Sequence, residues 1–305
     1  MCDTHNPYYN RSRPLSNERI LPFELIKKTV LEAKDGIKEI IPSTMGEPLL
    51  YPDFEKIIEL LRDNELKMNL TTNGTFPKLG VDKWADLIIP VASDVKISMN
   101  GATALTAESI MRRLNFNKQV ENASKFINKR DIYRRNGINS TVTMQVTFMK
   151  ANVSELPNMV EMAIEMGFDR FKGHHVWITN DEMKTQTLRT EENIEQWNAT
   201  VKEMHKIAKN RIKLDNVDFI ESGSVIDPNT VCPFLGKEAW IESDGRFEVC
   251  CCPDTERSKF GYFGNINDKD LIEIWNSKTY RDFVNGWGSY DPCKHCNMRI
   301  GANLR

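Results

Sequence analysis

Two stretches of the chain, IKEIIPSTMGEPLL at positions 37–50 and KMNLTTNG at positions 67–74, share one plan. Each is a short run with apolar or β-branched residues that ends in a loop rich in Gly, Pro, Asn or Thr, which is typical of a strand that stops at a turn. Between them, apolar residues recur at helical spacing over 54–62. A strand, a helix and a second strand in this order predict a parallel pair joined by a crossover helix.

The same alternation continues on both sides of these stretches. We predict further strands and helices, with strands at 95–99, 141–148 and 171–176 and helices at 23–33, 107–113, 120–135, 156–166 and 191–209. Five strands alternating with helices favour a parallel sheet, either an open doubly wound sheet or a full or partial β/α barrel. In both, chemistry gathers at the carboxyl ends of the strands. We expect the last helix to lead out of this region into a cysteine-rich tail.

The cysteines are distributed unevenly. Of seven in the chain, one is Cys2 and the other six lie between Cys232 and Cys296. This pattern indicates a local thiolate site rather than scattered buried thiols. Thiolates from Cys232, from Cys250 and from the pair Cys293-x-x-Cys296 can together hold either a tetrahedral zinc ion or an iron–sulfur cluster, and spacing alone does not separate the two.

Composition excludes several classes of protein. The formal net charge is −2 in 305 residues, so nucleic acid is not a favoured partner. No apolar run approaches the roughly 18 to 20 residues that span a bilayer, and the first ten residues lack an apolar signal segment, so no membrane association and a cytoplasmic location are expected.

The tail resembles a known domain in several independent elements. An Asp244-Gly245 turn between strand-like runs predicts a hairpin that the cysteines bracket. This stretch is similar to the SPASM/Twitch extension of radical S-adenosylmethionine (SAM) enzymes, which carries auxiliary [4Fe–4S] clusters; the matching elements are Cys232-Pro-Phe, Trp240-Ile, Asp244-Gly, Cys250-Cys, Gly264-Asn-Ile, Ile274-Trp-Asn-Ser and Cys293-Lys-His-Cys296. The resemblance implies ligands at Cys232, Cys250, Cys293 and Cys296. Cys251 and Cys252 are then spare, because adjacent side chains on an extended segment point to opposite sides.

The front of the chain resembles the core of the same family. Gly46-Glu47-Pro48 is similar to the family's Gly-Gly-Glu-Pro motif, which receives the amino group of SAM, although Met45 replaces the first glycine. The segments around Asn73-Gly74 and from Ser98 to Ala104 resemble the next two strand ends, with Asn100 in place of the usual aspartate. By themselves, a Gly-Glu-Pro tripeptide is equally an ordinary turn and a serine at a strand tip is equally a capping hydroxyl.

The resemblance implies an α/β fold with a partial (β/α)6 barrel that lacks its first strand, over residues 1–210. A small α+β SPASM/Twitch domain follows over residues 211–305. The implied SAM-binding residues are Gly46, Glu47, Pro48, Asn73, Ser98, Asn100 and Arg112. Arg112 or its neighbour Arg113 could pair with the SAM carboxylate, because a guanidinium fork matches a carboxylate. His174 and His175 end a strand, but we interpret them as partly buried histidines with satisfied contacts and assign no catalytic residue.

The family's defining Cys-x-x-x-Cys-x-x-Cys motif holds the [4Fe–4S] cluster that binds SAM. Cys2 fits its third cysteine, so the first two cysteines and the first strand are expected upstream of residue 1. We therefore interpret the sequence as a truncated form, either through a misassigned start, as a gene fragment, or as an inactive paralogue.

For the complete enzyme, the resemblance implies a radical SAM oxidoreductase that generates a 5′-deoxyadenosyl radical and abstracts hydrogen from a peptide or protein side chain. Its partners would be that substrate, or a small molecule, and an electron donor such as flavodoxin or ferredoxin. The auxiliary cluster would transfer electrons or position the substrate. Two alternatives stay open, a sugar- or alcohol-oxidising radical SAM dehydrogenase and a non-catalytic zinc-binding interaction protein.

Overall fold

The structure, a computed structural model, describes residues 20–301 except 43–45, 179–180, 222–229, 253, 295 and 297. The described residues form two compact units. The first comprises residues 38–221 and the second comprises residues 20–37 together with 230–301.

The first unit is built on one parallel sheet whose six strands lie in chain order: β1 (Glu39–Ile40), β2 (Lys67–Thr72), β3 (Ala92–Ser98), β4 (Thr141–Phe148), β5 (Arg170–His175) and β6 (Lys213–Asp215). Consecutive strands pair in parallel throughout. A doubly wound sheet reverses its strand order at a switch point, and this sheet does not, so the partial barrel is confirmed. Within the described residues β1 and β6 do not pair, so the barrel is open.

Helices connect the strands of this sheet. The first helix of the chain, α1 (Phe23–Ala33), belongs to the second unit. Those of the first unit are α2 (Phe54–Asp63), α3 (Val81–Ile88), α4 (Ala104–Ile110), α5 (Phe116–Arg135), α6 (Leu156–Met166), α7 (Asp181–Lys184) and α8 (Glu191–Ala208), with short 3-10 turns at Pro48–Leu50 and Val153–Glu155. The expectation that the last of these helices leads into the tail was wrong, because the chain after α8 returns to the sheet as β6. That strand follows residue 210, where the sequence placed the end of the barrel.

The sheet is amphipathic, with one apolar and one polar face. On β4 the buried Val142, Met144, Val146 and Phe148 alternate with Thr143, Gln145 and Thr147. The apolar face is packed so closely that a Cβ added to Gly173 would lie 1.9 Å from Cζ of Phe148. Gly173 is therefore required for the Phe148 ring to cross β5.

The polar face carries charged and amide side chains that contact one another across strands. Lys96 of β3 contacts Asn69 of β2, and Thr143 of β4 donates a hydrogen bond from its hydroxyl to Asp94 at 2.8 Å. Parallel strands covered on both faces by helices are normally apolar on both. A polar face in this sheet is therefore one that meets solvent or a bound molecule.

The second unit is small and mostly irregular. Its elements after α1 are β7 (Thr230–Val231), β8 (Trp240–Ile241), β9 (Phe247–Glu248), α9 (Asp254–Arg257), α10 (Leu271–Trp275), α11 (Lys278–Gly286), α12 (Asp291–Lys294) and β10 (Ile300–Gly301), with 3-10 turns at Ser258–Phe260 and Trp287–Ser289. Strands β8 and β9 pair antiparallel and confirm the predicted hairpin. An aromatic cluster around Phe247, Tyr280 and Phe283 forms its core. None of the helices described in either unit is long and apolar enough to cross a membrane.

Candidate functional site

The turn that follows β1 is tied to the end of β2 through the side chain of Glu47. Its Oε1 accepts a hydrogen bond from the Thr72 hydroxyl at 2.7 Å, and its Oε2 accepts one from the backbone N–H of Asn73 at 2.7 Å. Gly46 has a φ of +95°, a conformation that L side chains rarely adopt, and Pro48 begins the 3-10 turn. The carboxylate thus fixes Gly46, Glu47 and Pro48 against the tip of the neighbouring strand.

Burial of Glu47 raises the pKa of its carboxyl, while the hydrogen bonds from Asn73, Thr72 and Leu49 oppose that rise. The carboxylate is half-buried and, among the described residues, faces no cation at ion-pair distance. A cationic ligand would relieve this cost of burial. An ammonium group is such a ligand.

Helix α5 joins the tips of β2 and β3. The side-chain nitrogen of the buried Gln119 donates to the carbonyl oxygen of Asn73 at 2.7 Å and to that of Ser98 at 2.9 Å. Asn122, one turn further on, donates to the carbonyl oxygen of Gly74 at 3.0 Å. Residues Glu47, Asn73 and Ser98 therefore belong to one hydrogen-bonded line along the carboxyl edge of the sheet.

The next part of the edge is organised by asparagines. Asn100 lies just after β3, and its side-chain oxygen accepts a hydrogen bond from the backbone N–H of Thr147 at 2.8 Å. Its carbonyl oxygen accepts one from the Asn152 side chain at 3.1 Å. Asn100 is buried, whereas Ser98 is half-buried and its hydroxyl has no hydrogen-bond partner within the described part of the chain. Ser98 is therefore available to a ligand, and Asn100 shapes the loop around it.

Glu155 fixes the loop that follows Asn100. Its carboxylate accepts hydrogen bonds from the backbone N–H of Ala102 at 2.7 Å and from the hydroxyls of Thr103 and Thr106 at 2.8 and 2.6 Å. Burial raises its pKa, but these hydrogen bonds outweigh burial and the net pKa is lowered. Glu155 was not identified from the sequence, and neither were Gln119, Asn122 and Asn152.

Arg112 lies apart from this edge network. It is exposed in the segment between α4 and α5 and makes no hydrogen bond or ion pair to the residues that the structure describes. Its neighbour Arg113 has a φ of +64°. A contact of Arg112 with the SAM carboxylate stays a prediction.

The two histidines at the end of β5 point to opposite faces of the sheet. On the apolar face, His175 packs against Trp197 with ring centroids 4.6 Å apart, and burial lowers its pKa to about 3. On the polar face, His174 contacts the side chains of Gln145 and Thr147, and burial together with the charge of Lys172 lowers its pKa to about 4. Both rings are therefore neutral at neutral pH.

The cysteines of the second unit have the surroundings of thiolate ligands. The sulfur of Cys232 accepts a backbone N–H bond from Leu235 at 3.3 Å, that of Cys250 accepts one from Cys252 at 3.4 Å, and that of Cys296 accepts one from Met298 at 3.4 Å. Such bonds stabilise thiolates and tune the potential of a cluster bound to them. In donor type the four predicted ligands fit a [4Fe–4S] cluster.

The four thiols are neighbours without converging on one centre. Burial and then the charges of Cys250, Cys296 and Cys232 raise the pKa of Cys293 to about 12, so the other three sulfurs are near enough to act on Cys293. Within the described residues, however, no three Cys, His, Asp or Glu side chains are gathered closely enough to hold a metal ion.

The three consecutive cysteines differ from one another. Thiols of Cys251 and Cys252 hydrogen-bond to the sulfur of Cys250 and lower its pKa, whereas the same bonds and burial raise theirs. Cys2 and Met45 lie outside the described residues.

Two family models match the chain. A family model described as Radical SAM superfamily matches residues 2–163, and one described as an iron–sulfur cluster-binding domain, SPASM, matches residues 232–297. Among curated relatives, a tungsten-containing aldehyde ferredoxin oxidoreductase cofactor-modifying protein from Pyrococcus furiosus is 23% identical over 93% of this chain and 81% of its own length. A PqqA peptide cyclase from Bradyrhizobium diazoefficiens is 20% identical over 98% of this chain and 76% of its own.

Solved structures share the fold. SuiB from Streptococcus suis, bound to SAM, superposes with a TM-score of 0.63 at 16% identity, covering 96% of this chain and 68% of SuiB. Native anSMEcpe with bound SAM superposes with a TM-score of 0.63 at 15% identity, covering 98% of this chain and 86% of that protein.

Proposed function

Because the chain belongs to the radical SAM superfamily and carries a SPASM domain over residues 232–297, we propose that it modifies a peptide or protein side chain by abstracting a hydrogen atom. When bound, SAM and a reduced [4Fe–4S] cluster supply the 5′-deoxyadenosyl radical for that abstraction. The protein supplies binding, orientation and exclusion of water.

The observation that carries the SAM-binding part of the proposal is the line of hydrogen bonds from Glu47 through Asn73 and Gln119 to Ser98. It joins three segments that are far apart in the chain into one preorganised edge at the carboxyl ends of the strands, where parallel α/β sheets bind their ligands. The half-buried Glu47 carboxylate suits the SAM ammonium group, and the Ser98 hydroxyl, which has no partner among the described residues, can contact the same ligand.

The auxiliary cluster would be held by Cys232, Cys250, Cys293 and Cys296. Backbone N–H groups hold the sulfurs of Cys232, Cys250 and Cys296, and the cluster would supply a one-electron acceptor or a substrate anchor. We propose a ferredoxin- or flavodoxin-type protein as the electron donor.

A peptide substrate is supported by the names of similar proteins. PqqA peptide cyclases are among the curated relatives, and SuiB was solved with its precursor peptide SuiA. A direct test uses synthetic peptides encoded by short reading frames beside the gene, incubated without oxygen with the protein expressed from its full reading frame, SAM and reductant.

The expected product is a peptide that has lost two hydrogen atoms per modification, with deuterium from labelled peptide recovered in 5′-deoxyadenosine. The contrary result would be deuterium transfer from a sugar or alcohol and none from any peptide, which would favour a dehydrogenase.

A further inference from the structure

The polar face of the sheet carries a lysine, Lys172, that forms no ion pair with any described residue. In the strand register Ser98 lies beside Gln145, and Gln145 lies beside Lys172, so the three side chains form one row across β3, β4 and β5. Lys172 is half-buried and makes no hydrogen bond or ion pair to any residue that the structure describes. A half-buried cation without a partner is a candidate for contact with an anionic ligand, because burying an unpaired charge is costly.

Three other cations of this face, Lys96, Arg170 and Lys213, are already paired. Lys96 contacts Asn69 and lies 3.9 Å from the Asp94 carboxylate, and Arg170 lies 3.6 Å from Asp94 and 3.6 Å from Asp215. Asp215 is beside Lys172 in the register, but it is also held by Lys213 at 2.9 Å. Asp94 and Asp215 therefore pair with Lys96, Arg170 and Lys213. Neither forms an ion pair with Lys172.

On the side of β4, the groups next to Lys172 are neutral and form hydrogen bonds. The Gln145 side-chain nitrogen lies 3.2 Å from Nδ1 of His174, and the Thr147 hydroxyl lies 3.5 Å from Nε2. With the amide donating to Nδ1, the ring proton is on Nε2, on the side of Thr147. The His174 imidazole is thus an uncharged ring beside Lys172, held by its contacts with Gln145 and Thr147.

We propose that Lys172, with Gln145 and His174, binds a carboxylate of the substrate on the polar face of the sheet. One positive charge beside the neutral Gln145 and His174 matches a singly charged carboxylate better than a doubly charged phosphate. This inference rests on the proposed function and deepens it, because it makes the substrate an acidic peptide, recognised by an Asp or Glu side chain or by a C-terminal carboxylate.

The carboxylate of SAM is not expected to bind at Lys172. The amino and carboxylate groups of SAM are attached to one carbon, and the turn proposed to receive the amino group follows β1. Lys172 lies on β5, four strands away, and neighbouring strands are about 4.8 Å apart along the sheet.

The test is direct binding of small probes in the presence of SAM, measured by ligand-observed NMR. The probes are N-acetylglutamate α-amide, N-acetylglutamine with a free α-carboxylate, N-acetylglutamine amide, and inorganic phosphate. We expect binding of one or both carboxylates at least about fivefold tighter than that of the uncharged amide or of phosphate. The probe that binds more tightly shows whether the site recognises a side-chain carboxylate or a C-terminal carboxylate.

Lys172→Met should remove this preference, Lys172→Arg should keep it, and Lys83→Met on the exposed face of α3 is the matched control. Equal binding of carboxylate and amide, tighter binding of phosphate, or a preference unchanged in Lys172→Met would overturn the proposal. So would a loss of SAM affinity in Lys172→Met with the probe preference intact. Because no probe requires catalysis, a failure here is distinguishable from a failure of the proposed radical chemistry.

Discussion

The Oε2 atom of Glu47 accepts a hydrogen bond from the backbone N–H of Asn73 at 2.7 Å, and this contact joins the turn after β1 to the tip of β2. The resemblance assigns both residues to SAM. The contact shows that the carboxylate also shapes the edge on which SAM is proposed to bind, so substitution of Glu47 tests both roles.

Glu47→Gln should weaken SAM binding, because a hydrogen bond from an ammonium group to a carboxylate is stronger than one to an amide. The difference of about 1 kcal/mol corresponds to roughly fivefold in Kd, measured by anaerobic calorimetry. Glu59→Gln on the exposed face of α2 is the control. An unchanged Kd in Glu47→Gln would remove Glu47 from the SAM site.

Glu47→Gln should not lower the stability of the folded protein, although it should weaken SAM binding. Burial raises the folded-state pKa of Glu47, so the folded protein binds more protons than the unfolded chain and its free energy of unfolding falls as pH rises through that pKa. Glu47→Gln removes this penalty, and its thermal midpoint at pH 7 should be no lower than that of the parent.

Gln119→Leu should weaken SAM binding more than it destabilises the fold. It removes two hydrogen bonds to strand-tip carbonyls, and it also removes a buried side-chain oxygen that has no partner within the described residues. The net destabilisation should be about 1 kcal/mol, since the gain from removing the unpaired oxygen partly cancels the loss of two hydrogen bonds. Gln196→Leu on α8 is the control, and a SAM affinity equal to that of the parent would show that the bridge does not position the site.

Single alanine substitutions should separate cluster ligands from spare cysteines. Changes at Cys232, Cys250, Cys293 or Cys296 should each abolish most of the iron and sulfide bound by the second unit after anaerobic reconstitution. Changes at Cys251 or Cys252 should leave it largely intact. An essential Cys251 with a dispensable Cys250 would mean that the ligand is the neighbouring residue, and colourless stoichiometric zinc would favour the interaction-protein alternative.

Gly173→Ala should destabilise the first unit by about 1 to 3 kcal/mol through overpacking, because the new Cβ meets the Phe148 ring. Denaturant unfolding measures the loss. Phe148→Leu, itself destabilising, should absorb much of the effect in the double variant. Additive losses would mean that the contact with Phe148 is not the cause.

Periodicity predicted the strands and helices that bury one clear face. Strand β4 matches its predicted range, since Val142, Met144, Val146 and Phe148 alternate with polar residues. Helix α6 also matches, between Pro157 in its first turn and Gly167, which caps it in the left-handed conformation. Such elements are specified locally.

Elements specified by tertiary contacts were missed. Strand β6 has only the residues Lys-Leu-Asp, and it is a strand because it pairs with β5 and because Arg170 reaches Asp215. Helix α3 is short and begins at Val81 after Gly80, which provides no side-chain cap, and it is held by the buried Trp84.

In the candidate site too, local motifs located some residues, and tertiary contacts determined the others. The strand-end motifs located Glu47, Asn73, Ser98 and Asn100, but not the side chains that position them. A signal for Gln119 and Asn122 existed, because these polar residues share the face of α5 that also buries Ala123 and Phe126. Only the fold shows that this face lies against the strand tips.

The central claim is tested most directly by anaerobic SAM cleavage. The protein expressed from its full reading frame, loaded with iron and sulfide and chemically reduced, is expected to convert SAM to 5′-deoxyadenosine and methionine in equal amounts, and Glu47→Ala should slow the conversion at least about tenfold. A fully iron-loaded, reduced protein that binds SAM yet forms no 5′-deoxyadenosine above a blank of SAM and reductant would contradict the claim.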